Sequence, residues 1–178
     1  IGALCLSSFA ARNLMPLYIA IPFRLILSAT RSLPSLIWAI LFVIVSGFGP
    51  LAGVLAMTFY TVGYLGKLQY ETFEGMPSDT LEVSKAMGLS HTTTFTSVVI
   101  PETGNHLLSQ LMFMFEYNVR HGTVIGIVGA GGIGYYISTY LKFLQYDKVL
   151  ALLLIIFVVV VLIDLLSLMV RSFVNDQG

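Results

Sequence analysis

The stretch from Val149 to Val170 contains a single charged residue, Asp164, among mainly apolar side chains. An α-helix crosses the hydrocarbon core of a bilayer with about 20 apolar residues, so this stretch has the length of a transmembrane helix. The whole chain is 57% hydrophobic and 10% charged, whereas about a quarter of the residues of a soluble domain are charged. The sequence therefore predicts an all-α integral membrane protein.

Apolar segments recur along the chain and are separated by turns and polar stretches. We expect a single transmembrane domain over residues 1–178, with spans at about 1–11, 33–46, 51–68, 107–128 and 149–170. The first segment is too short to cross a bilayer alone, and the chain begins at Ile1 without a methionine. We therefore expect that N-terminal helices are missing from this sequence. Residues 47–50, Gly-Phe-Gly-Pro, predict a tight turn between two spans.

Basic residues favour one end of these spans. Under the positive-inside rule, short loops rich in lysine and arginine face the cytoplasm. Segment 12–31 carries only basic charges, so we expect it to be cytoplasmic together with the polar segment 78–101, and the turn at 47–50 to lie outside. The basic residues predicted near the inner side are Arg12, Arg24, Arg31, Lys67, Lys85 and Arg171, and those outside are Lys142 and Lys148.

The polar segment 78–101 has the pattern of a helix, a corner and a second helix. Asp79 and Glu82 have the spacing of a capping box, which predicts a helix start at Asp79. Gly88 is placed to end that helix in the left-handed conformation, and Ser90 is placed to cap a second helix. We expect the second helix to run as far as Pro101.

This segment resembles the EAA loop of bacterial ABC importer permeases, with Glu82, Gly88, Val98, Ile100 and Pro101 at the matching offsets. Val83 and Ser84 replace the alanines of that pattern, and Val98 and Ile100 replace its isoleucine and leucine. The resemblance implies that the segment docks into a groove of a cytoplasmic ATPase subunit. The alternative is an amphipathic loop that only joins two membrane helices. The residues that the resemblance assigns to coupling are Glu82, Ser84, Ala86, Gly88, Leu89 and Pro101.

Polar side chains also occur inside the predicted span 107–128. Glu116 and Arg120 are one helical turn apart, with the acid first, so they can neutralise each other within the membrane. The alternative is that Arg120 faces a water-filled path and meets an anion, because guanidinium matches phosphate-like oxygens. Asn118 and Thr123 are candidate path residues beside them. Asp164 is expected to pair with Arg171 or to reach solvent.

A glycine-rich stretch, Gly129-Ala130-Gly131-Gly132-Ile133-Gly134, follows that span. It contains a G-x-G-x-x-G pattern, but that fingerprint has meaning only between a strand and a helix of a soluble βαβ unit. Three interpretations remain: a flexible turn, close packing against a neighbour, or a nest of backbone N–H groups that holds an anion. The candidate path residues here are Gly129, Gly131, Gly132 and Gly134.

Residues 115–120, Thr123-Val124 and residues 128–134 together are similar to the permease of phosphonate and phosphite ABC importers. The resemblance covers most of the chain and implies a type I importer permease, a MetI-like helical bundle in the prokaryotic inner membrane. It implies an ATPase dimer, a periplasmic or lipid-anchored binding protein and a homodimer as partners, and an oxyanion of phosphorus as cargo. Phosphonate, phosphite and related esters remain open. The small residues expected to pack helices closely, and to be dimer contacts, are Gly53, Ala56, Gly63 and Gly66.

Other functions are less compatible with the residues present. The net charge is zero and no basic run occurs, so no nucleic acid is expected as a partner. Cys5 is the single cysteine, and His91, His106 and His121 share no ligand spacing, so neither a metal nor a cofactor is expected. The sequence contains no pair of a nucleophile and a general base that would predict an enzyme. The resemblance assigns ATP hydrolysis to a partner subunit. The competing functions are an ion-coupled secondary transporter that uses Glu116, Arg120 and Asp164, and a membrane scaffold.

Overall fold

A computed structural model describes residues 1–175, which form nine α-helices and no β-strand. Two π-helical segments, Phe95–Val99 and Gly126–Ala130, lie immediately before and after the seventh helix. The all-α prediction is confirmed for the described part of the chain. The helices are Gly2–Ala10 (α1), Leu17–Ser32 (α2), Ser35–Ser46 (α3), Pro50–Glu74 (α4), Ser78–Ala86 (α5), His91–Thr94 (α6), Ile100–Ile125 (α7), Ile133–Lys142 (α8) and Tyr146–Asn175 (α9).

Helix α4 is the centre of the bundle, and α1, α2, α3 and α7 all pack against it. Its small residues make this possible, because helices approach closely only where no large side chain separates their backbones. A Cβ atom on Gly63 would lie 2.1 Å from Thr30 Oγ1, and one on Gly66 would lie 2.6 Å from Leu27 Cδ2. The expectation that these glycines face another copy of the chain is wrong, since α2 covers them.

The same holds nearer the other end of α4. Ala56 is fully buried with Ala39 and Ile125, and a Cβ atom on Gly53 would lie 3.0 Å from the Ala130 carbonyl oxygen. Alanine and glycine at these positions let α3 and the glycine-rich segment reach the α4 backbone. All four predicted small contacts are therefore used within one chain.

Segment 12–31, which its charges predict to be a cytoplasmic connection, is mostly helical. Residues 17–32 form α2, whose axis turns by 87° at Leu33-Pro34 before α3 begins. Pro34 causes this break, because the residue before a proline is driven out of the helical conformation, and Leu33 is extended with φ −101°. Trp38 Nε1 donates to the Thr30 carbonyl oxygen at 2.8 Å and ties the two helices together.

Two described helices, Pro50–Glu74 and Tyr146–Ser172, are each long and apolar enough to cross a bilayer. The bent pair of α2 and α3 meets the same test together, as does the bent pair formed by His91–Ala130 and Ile133–Lys142. Each bent pair therefore has a short break, with a bend of 87° at Leu33-Pro34 and of 55° at Gly131-Gly132. Proline and glycine at the breaks account for this, since neither continues a helix ladder well.

The corner in segment 78–90 forms as predicted at its centre but not at its start. Gly88 has φ +67°, its N–H donates to the Lys85 carbonyl oxygen, and the Leu89 N–H donates to the Ser84 carbonyl oxygen at 3.2 Å. These two bonds close a Schellman motif, so the prediction that Gly88 ends the helix is confirmed. The Ser90 hydroxyl accepts the Thr93 N–H at 3.3 Å, which confirms the second cap.

The capping box is wrong, because α5 begins at Ser78 after Pro77 and no side chain caps it. Asp79 instead lies inside the first turn, where its negative charge still interacts favourably with the helix dipole. Proline readily precedes a helix because its φ is already close to the helical value, −55° at Pro77. The helix start therefore moves to the residue that follows the proline.

The second helix does not stop at Pro101. It continues through the π-helical segment Phe95–Val99 into α7, and the Ile100 N–H donates to the Phe95 carbonyl oxygen. The wider π turn accommodates a proline that has no N–H and whose ring would crowd a regular turn. One helical element therefore runs from His91, just after the corner, through α7 to Ala130, with a kink at Gly129 near its end.

The close contact at Gly63 can be tested by comparing its substitution with the same substitution at a glycine that has no close neighbour. We expect Gly63→Ala to lower the melting temperature of the detergent-solubilised protein, since the added methyl meets Thr30 and the α2 backbone. Overpacking of this kind destabilises by about 1–3 kcal/mol. Gly104→Ala is the control, because no atom lies within 4 Å of its added Cβ. Equal melting temperatures for the two variants would contradict the packing of α2 on α4.

Candidate functional site

The predicted path residues of α7 lie on different faces of that helix. Asn118 faces α4, and its Oδ1 atom accepts a hydrogen bond from the Thr61 hydroxyl at 3.0 Å. Glu116 and Arg120 face α9, where they contact Arg171 and Asp164. The structure therefore separates two groups of residues that the sequence placed in one path.

Asn118 lines a cleft of about 480 Å³ between α4, α7 and the glycine-rich segment. Gly131 and Gly132 form part of its wall, whereas Glu116 and Arg120 do not. The cleft is mainly apolar, and its polar side chains are Thr58, Thr61 and Asn118. Thr58 and Thr61 were not among the residues predicted from the sequence. Two hydroxyls at i and i+3 in an apolar span were the signal that could have identified them.

Asn118 also borders a cavity of about 310 Å³ between α7, the start of α8 and α9. Thr123, Gly122 and Gly132 belong to this second wall, together with Ile156 and Val159 of α9. The predicted residues Asn118 and Gly132 are thus shared by both cavities. These two residues lie between the cleft on the α4 side of α7 and the cavity on its α9 side.

The four candidate glycines have two different roles. A Cβ atom on Gly129 would lie 2.3 Å from Phe48 Cδ1, and one on Gly134 would lie 2.0 Å from the Thr123 carbonyl oxygen. These two positions are explained by close packing, one of the interpretations that the sequence left open. Gly131 and Gly132, with φ of +80° and +73°, line the cleft and lead into α8.

Four charged side chains connect α7 to α9. Arg120 binds Asp164 at 2.5 Å, Arg171 binds Glu116 at 2.7 Å, and Arg120 lies 3.9 Å from Glu116. The expected pairing of Asp164 with Arg171 is wrong. These residues are seven positions apart on one helix, a rise of about 10 Å, whereas each directly faces a charge of the opposite sign on α7.

This network makes the local charge neutral, since it contains two acids and two arginines. Glu116 is the most buried member, with 16% of its side chain exposed, and Arg120 the most exposed at 49%. Charges at membrane depth persist only when they are paired or hydrated, and a chain of alternating charges satisfies each member. The direct pair of Glu116 with Arg120 is secondary to the contacts across the two helices.

The predicted coupling residues occupy both faces of α5. Ser84 is 2% exposed, and its hydroxyl donates to the Leu81 carbonyl oxygen at 2.8 Å, so it faces the bundle. Glu82, Ala86 and Gly88 are exposed, as is Pro101 further along, and Leu89 is partly buried.

Two apolar side chains of the exposed face, Val83 and Met87, were not predicted as coupling residues, although 60% and 69% of their surface is exposed. Their i, i+4 spacing on a short polar helix was the available signal, because residues at that spacing share one face.

An ionic cluster holds the end of α4 next to this corner. Glu74 accepts hydrogen bonds from the Arg24 guanidinium and from the Arg12 backbone N–H, the latter at 2.7 Å. Arg24 also donates to the Ala10 carbonyl oxygen at 2.8 Å and lies over the Tyr70 ring. The cluster joins α1, α2 and α4 immediately before the chain enters the corner, and the sequence alone did not indicate it.

The pairing of Arg120 with Asp164 can be tested by asking which second substitution, at Asp164 or at Glu116, restores the stability that Arg120→Ala loses. We expect Arg120→Ala to lower thermal stability and membrane abundance because it leaves Asp164 unpaired. The loss should lie between the roughly 1 kcal/mol of an exposed pair and the roughly 3–5 kcal/mol of a buried pair, since both side chains are partly exposed.

Adding Asp164→Asn to Arg120→Ala should recover most of that stability, because no unpaired charge then remains. Adding Glu116→Gln should not, since it leaves Asp164 unpaired and weakens the contact of residue 116 with Arg171. Rescue by Glu116→Gln alone would show that the pair along α7 dominates.

Comparisons with known proteins agree with this arrangement of helices. The family described as binding-protein-dependent transport system inner membrane component matches residues 3–175. A phosphite transport system permease protein of Stutzerimonas stutzeri is 37% identical over 172 residues, which are 96% of this chain. The chain spans only 62% of the length of that relative.

A second relative and a solved structure extend the comparison. A putative cryptic phosphonate transport system permease protein of Escherichia coli K12 is 36% identical over 119 residues, or 67% of this chain and 98% of that protein. The fold is similar to a chain of the MetNI methionine ABC transporter in inward facing conformations, with a TM-score of 0.80 and 19% identity. That match covers 97% of this chain and 85% of the other. It confirms the predicted MetI-like importer fold.

Proposed function

This chain belongs to the family of binding-protein-dependent transport system inner membrane components, a family of multi-pass membrane proteins, and from that membership we propose its function. We propose that it is the transmembrane subunit of an ATP-driven importer for an oxyanion of phosphorus. The chain itself hydrolyses no ATP in this proposal, because its relatives are named as permeases. Phosphite and phosphonate are the cargoes that those names suggest.

The corner of residues 78–90 is the observation that carries this proposal. It exposes Val83 and Met87 on a short helix that the Schellman motif at Gly88 holds at a fixed angle to the following helix. Exposed apolar side chains on a rigid helix are typical of a site where a partner protein binds. We propose that Glu82, Val83 and Met87 contact an ATPase subunit, and that Ser84 and Leu89 hold the corner against the bundle.

A movement of the corner can reach the middle of the bundle through one helical element. That element runs from His91 through α7 and contains Asn118. We propose that the cleft beside Asn118, with Thr58, Thr61, Gly131 and Gly132 in its walls, is part of the transport path. Glu116 and Arg120 then serve mainly to hold α9 against α7, since each is paired across that contact.

The proposed assembly contains further proteins. A periplasmic or lipid-anchored binding protein would deliver cargo, ATPase subunits would bind the corners, and a second copy of the permease would complete the path. The copies must meet through faces other than the small residues of α4, which α2, α3 and the glycine-rich segment cover. The exposed apolar side chains near the 47–50 turn, such as Val45, Phe48 and Leu51, are available for that contact.

An ion-coupled secondary transporter is the competing function. It would need an acid that exchanges a proton or cation within the membrane, and Glu116 and Asp164 are the candidates. Both are engaged by arginines in this structure, which favours the importer. Reconstitution decides between them: we expect uptake of labelled phosphite or methylphosphonate to require ATP, the ATPase and the binding protein. Uptake driven by an ion gradient alone would overturn the proposal.

The corner can be tested at Gly88 with a pair of substitutions. No atom lies within 4 Å of a Cβ atom built on this glycine, so only its φ of +67° restricts the side chain. A β-branched residue strongly disfavours that conformation, whereas asparagine adopts it more readily. We expect Gly88→Val to lower cargo-stimulated ATP hydrolysis at least tenfold without loss of membrane insertion, and Gly88→Asn to keep most of it. Normal stimulation in Gly88→Val would exclude a coupling role for the corner.

The number of permease copies can be measured separately. We expect two identical copies per pair of ATPase subunits in the mass of the detergent-purified complex. The physical reason is that the few helices of one copy cannot enclose a path by themselves, so a second copy is needed to complete it. A cysteine pair at Phe48 should crosslink across such a dimer in native membranes if the exposed turn lies at the interface, whereas one at the buried Ala56 should not. A complex with a single permease copy would contradict the proposal.

A further inference from the structure

A separate polar cavity of about 310 Å³ lies at the break between α2 and α3. It shares only Ile125 with the cleft beside Asn118. Its remaining wall includes Pro34 and Leu36, at the start of α3. The polar side chains that line it are Arg31, Ser32, Ser35, Tyr60, Tyr117 and His121.

Arg31 provides the positive charge of this cavity. Its backbone lies beside Gly63, near the middle of α4 and far from the corner. Among residues 1–175, no carboxylate lies within 4.0 Å of its guanidinium, whereas Arg24, Arg120 and Arg171 are each paired with an acid. An arginine at membrane depth is stable only with water or a counter-charge, so an unpaired one indicates a functional site.

The other groups around Arg31 are mainly hydrogen-bond donors. Tyr60 and Tyr117 stack with ring centroids 5.4 Å apart, and His121 stacks on Tyr117 at 3.7 Å, which fixes the tyrosine rings. Ser35 is only 5% exposed and lies in the first turn of α3. The positive end of that helix dipole therefore faces the same space as the guanidinium.

No acidic side chain lines the cavity, and this distinguishes it from the α7–α9 network. Arg31 also borders a neighbouring cavity of about 260 Å³ that contains Arg12, Arg24 and Ser28. The basic side chains thus follow α2 from its start near the corner to the break at Pro34. The cleft beside Asn118 has no cationic side chain in its wall, so only neutral groups could contact an anion there.

We propose that the cavity at the α2–α3 break binds a tetrahedral oxyanion of phosphorus within the membrane. Arg31 supplies the charge, and the hydroxyls of Ser32, Ser35, Tyr60 and Tyr117 supply hydrogen bonds to the remaining oxygens. Assignment of this anion as transported cargo rests on the proposed function. A lipid headgroup phosphate has the same chemistry, and the experiment below separates the two sources.

The first measurement detects the site without requiring transport. The background is the full-length permease with its ATPase, in which Cys5→Ser is combined with replacement of any cysteine outside this sequence. Ser35→Cys then places a thiol in the cavity wall. We expect a negatively charged methanethiosulfonate reagent to modify this thiol at least tenfold faster than a positively charged reagent of equal size. Adding Arg31→Gln should abolish the preference, and Arg12→Gln is the matched control for loss of one basic charge.

The second measurement identifies the occupant. Millimolar phosphite, phosphate or methylphosphonate should slow the modification of Ser35→Cys in phosphatidylcholine vesicles, and Arg31→Gln should remove this protection. Protection that depends only on added phosphatidylglycerol would assign the cavity to a lipid headgroup and overturn the cargo assignment. Absence of both charge preference and protection would overturn the site.

The third measurement connects the site to transport. In proteoliposomes with the ATPase and the binding protein, we expect Arg31→Gln to lower uptake of labelled phosphite at least tenfold at equal membrane abundance. Arg31→Lys should retain part of it, and Arg12→Gln most of it. Protection at Ser35→Cys without uptake of any phosphorus oxyanion by the unaltered complex would confirm the anion site and overturn the proposed function. Full uptake by Arg31→Gln would overturn the site as a cargo site.

Discussion

The close approach of other helices to the glycine face of α4 determines how the bundle is assembled. Gly63 and Gly66 allow α2 to lie against the α4 backbone, and Gly53 and Ala56 admit the glycine-rich segment and α3. Dispersion contacts and interhelical hydrogen bonds hold membrane helices together, because lipid is as apolar as the side chains and gives no hydrophobic drive. Helices α1, α2, α3 and α7 pack directly on α4, so this packing sets where Arg31 and Asn118 lie relative to it.

Features set by neighbouring residues could be predicted from the sequence, whereas the partners of each side chain could not. Gly88 and Ser90 act locally, so their roles as helix end and helix cap were predictable from spacing. The all-α class followed from composition in the same way. Charge pairing depends on which helices are neighbours, which a single sequence does not specify, and Asp164 therefore binds Arg120 instead of Arg171. For a related reason, the positive-inside rule assigned Arg31 to one side of the membrane but not to the cavity at the α2–α3 break, since it counts charges without locating neighbouring helices.

The continuous element from His91 to Ala130 gives the proposed coupling a physical route. A π-helical segment before Pro101 keeps this element unbroken where a proline would otherwise end or kink it. Gly88 lies just before this element and Gly129 near its end, and the backbone changes direction at both of these positive-φ glycines. A rigid-body displacement of this element would move Asn118 and Tyr117 together, on the two sides of α7 that border the two cavities.

Two groups of charged side chains in the described part of the bundle hold helices together, and Arg31 belongs to neither. Glu74 with Arg24 fixes the end of α4, and the alternating set of Glu116, Arg120, Asp164 and Arg171 fixes α9 on α7. Each of these arginines is neutralised, so none is free to attract an anion strongly. Arg31 has the same side chain, near the middle of α4, without such a partner among the described residues, and hydroxyls line the cavity beside it. The paired arginines are explained by their role in holding helices together. An arginine without an acidic partner is better explained by an anion that enters and leaves the cavity.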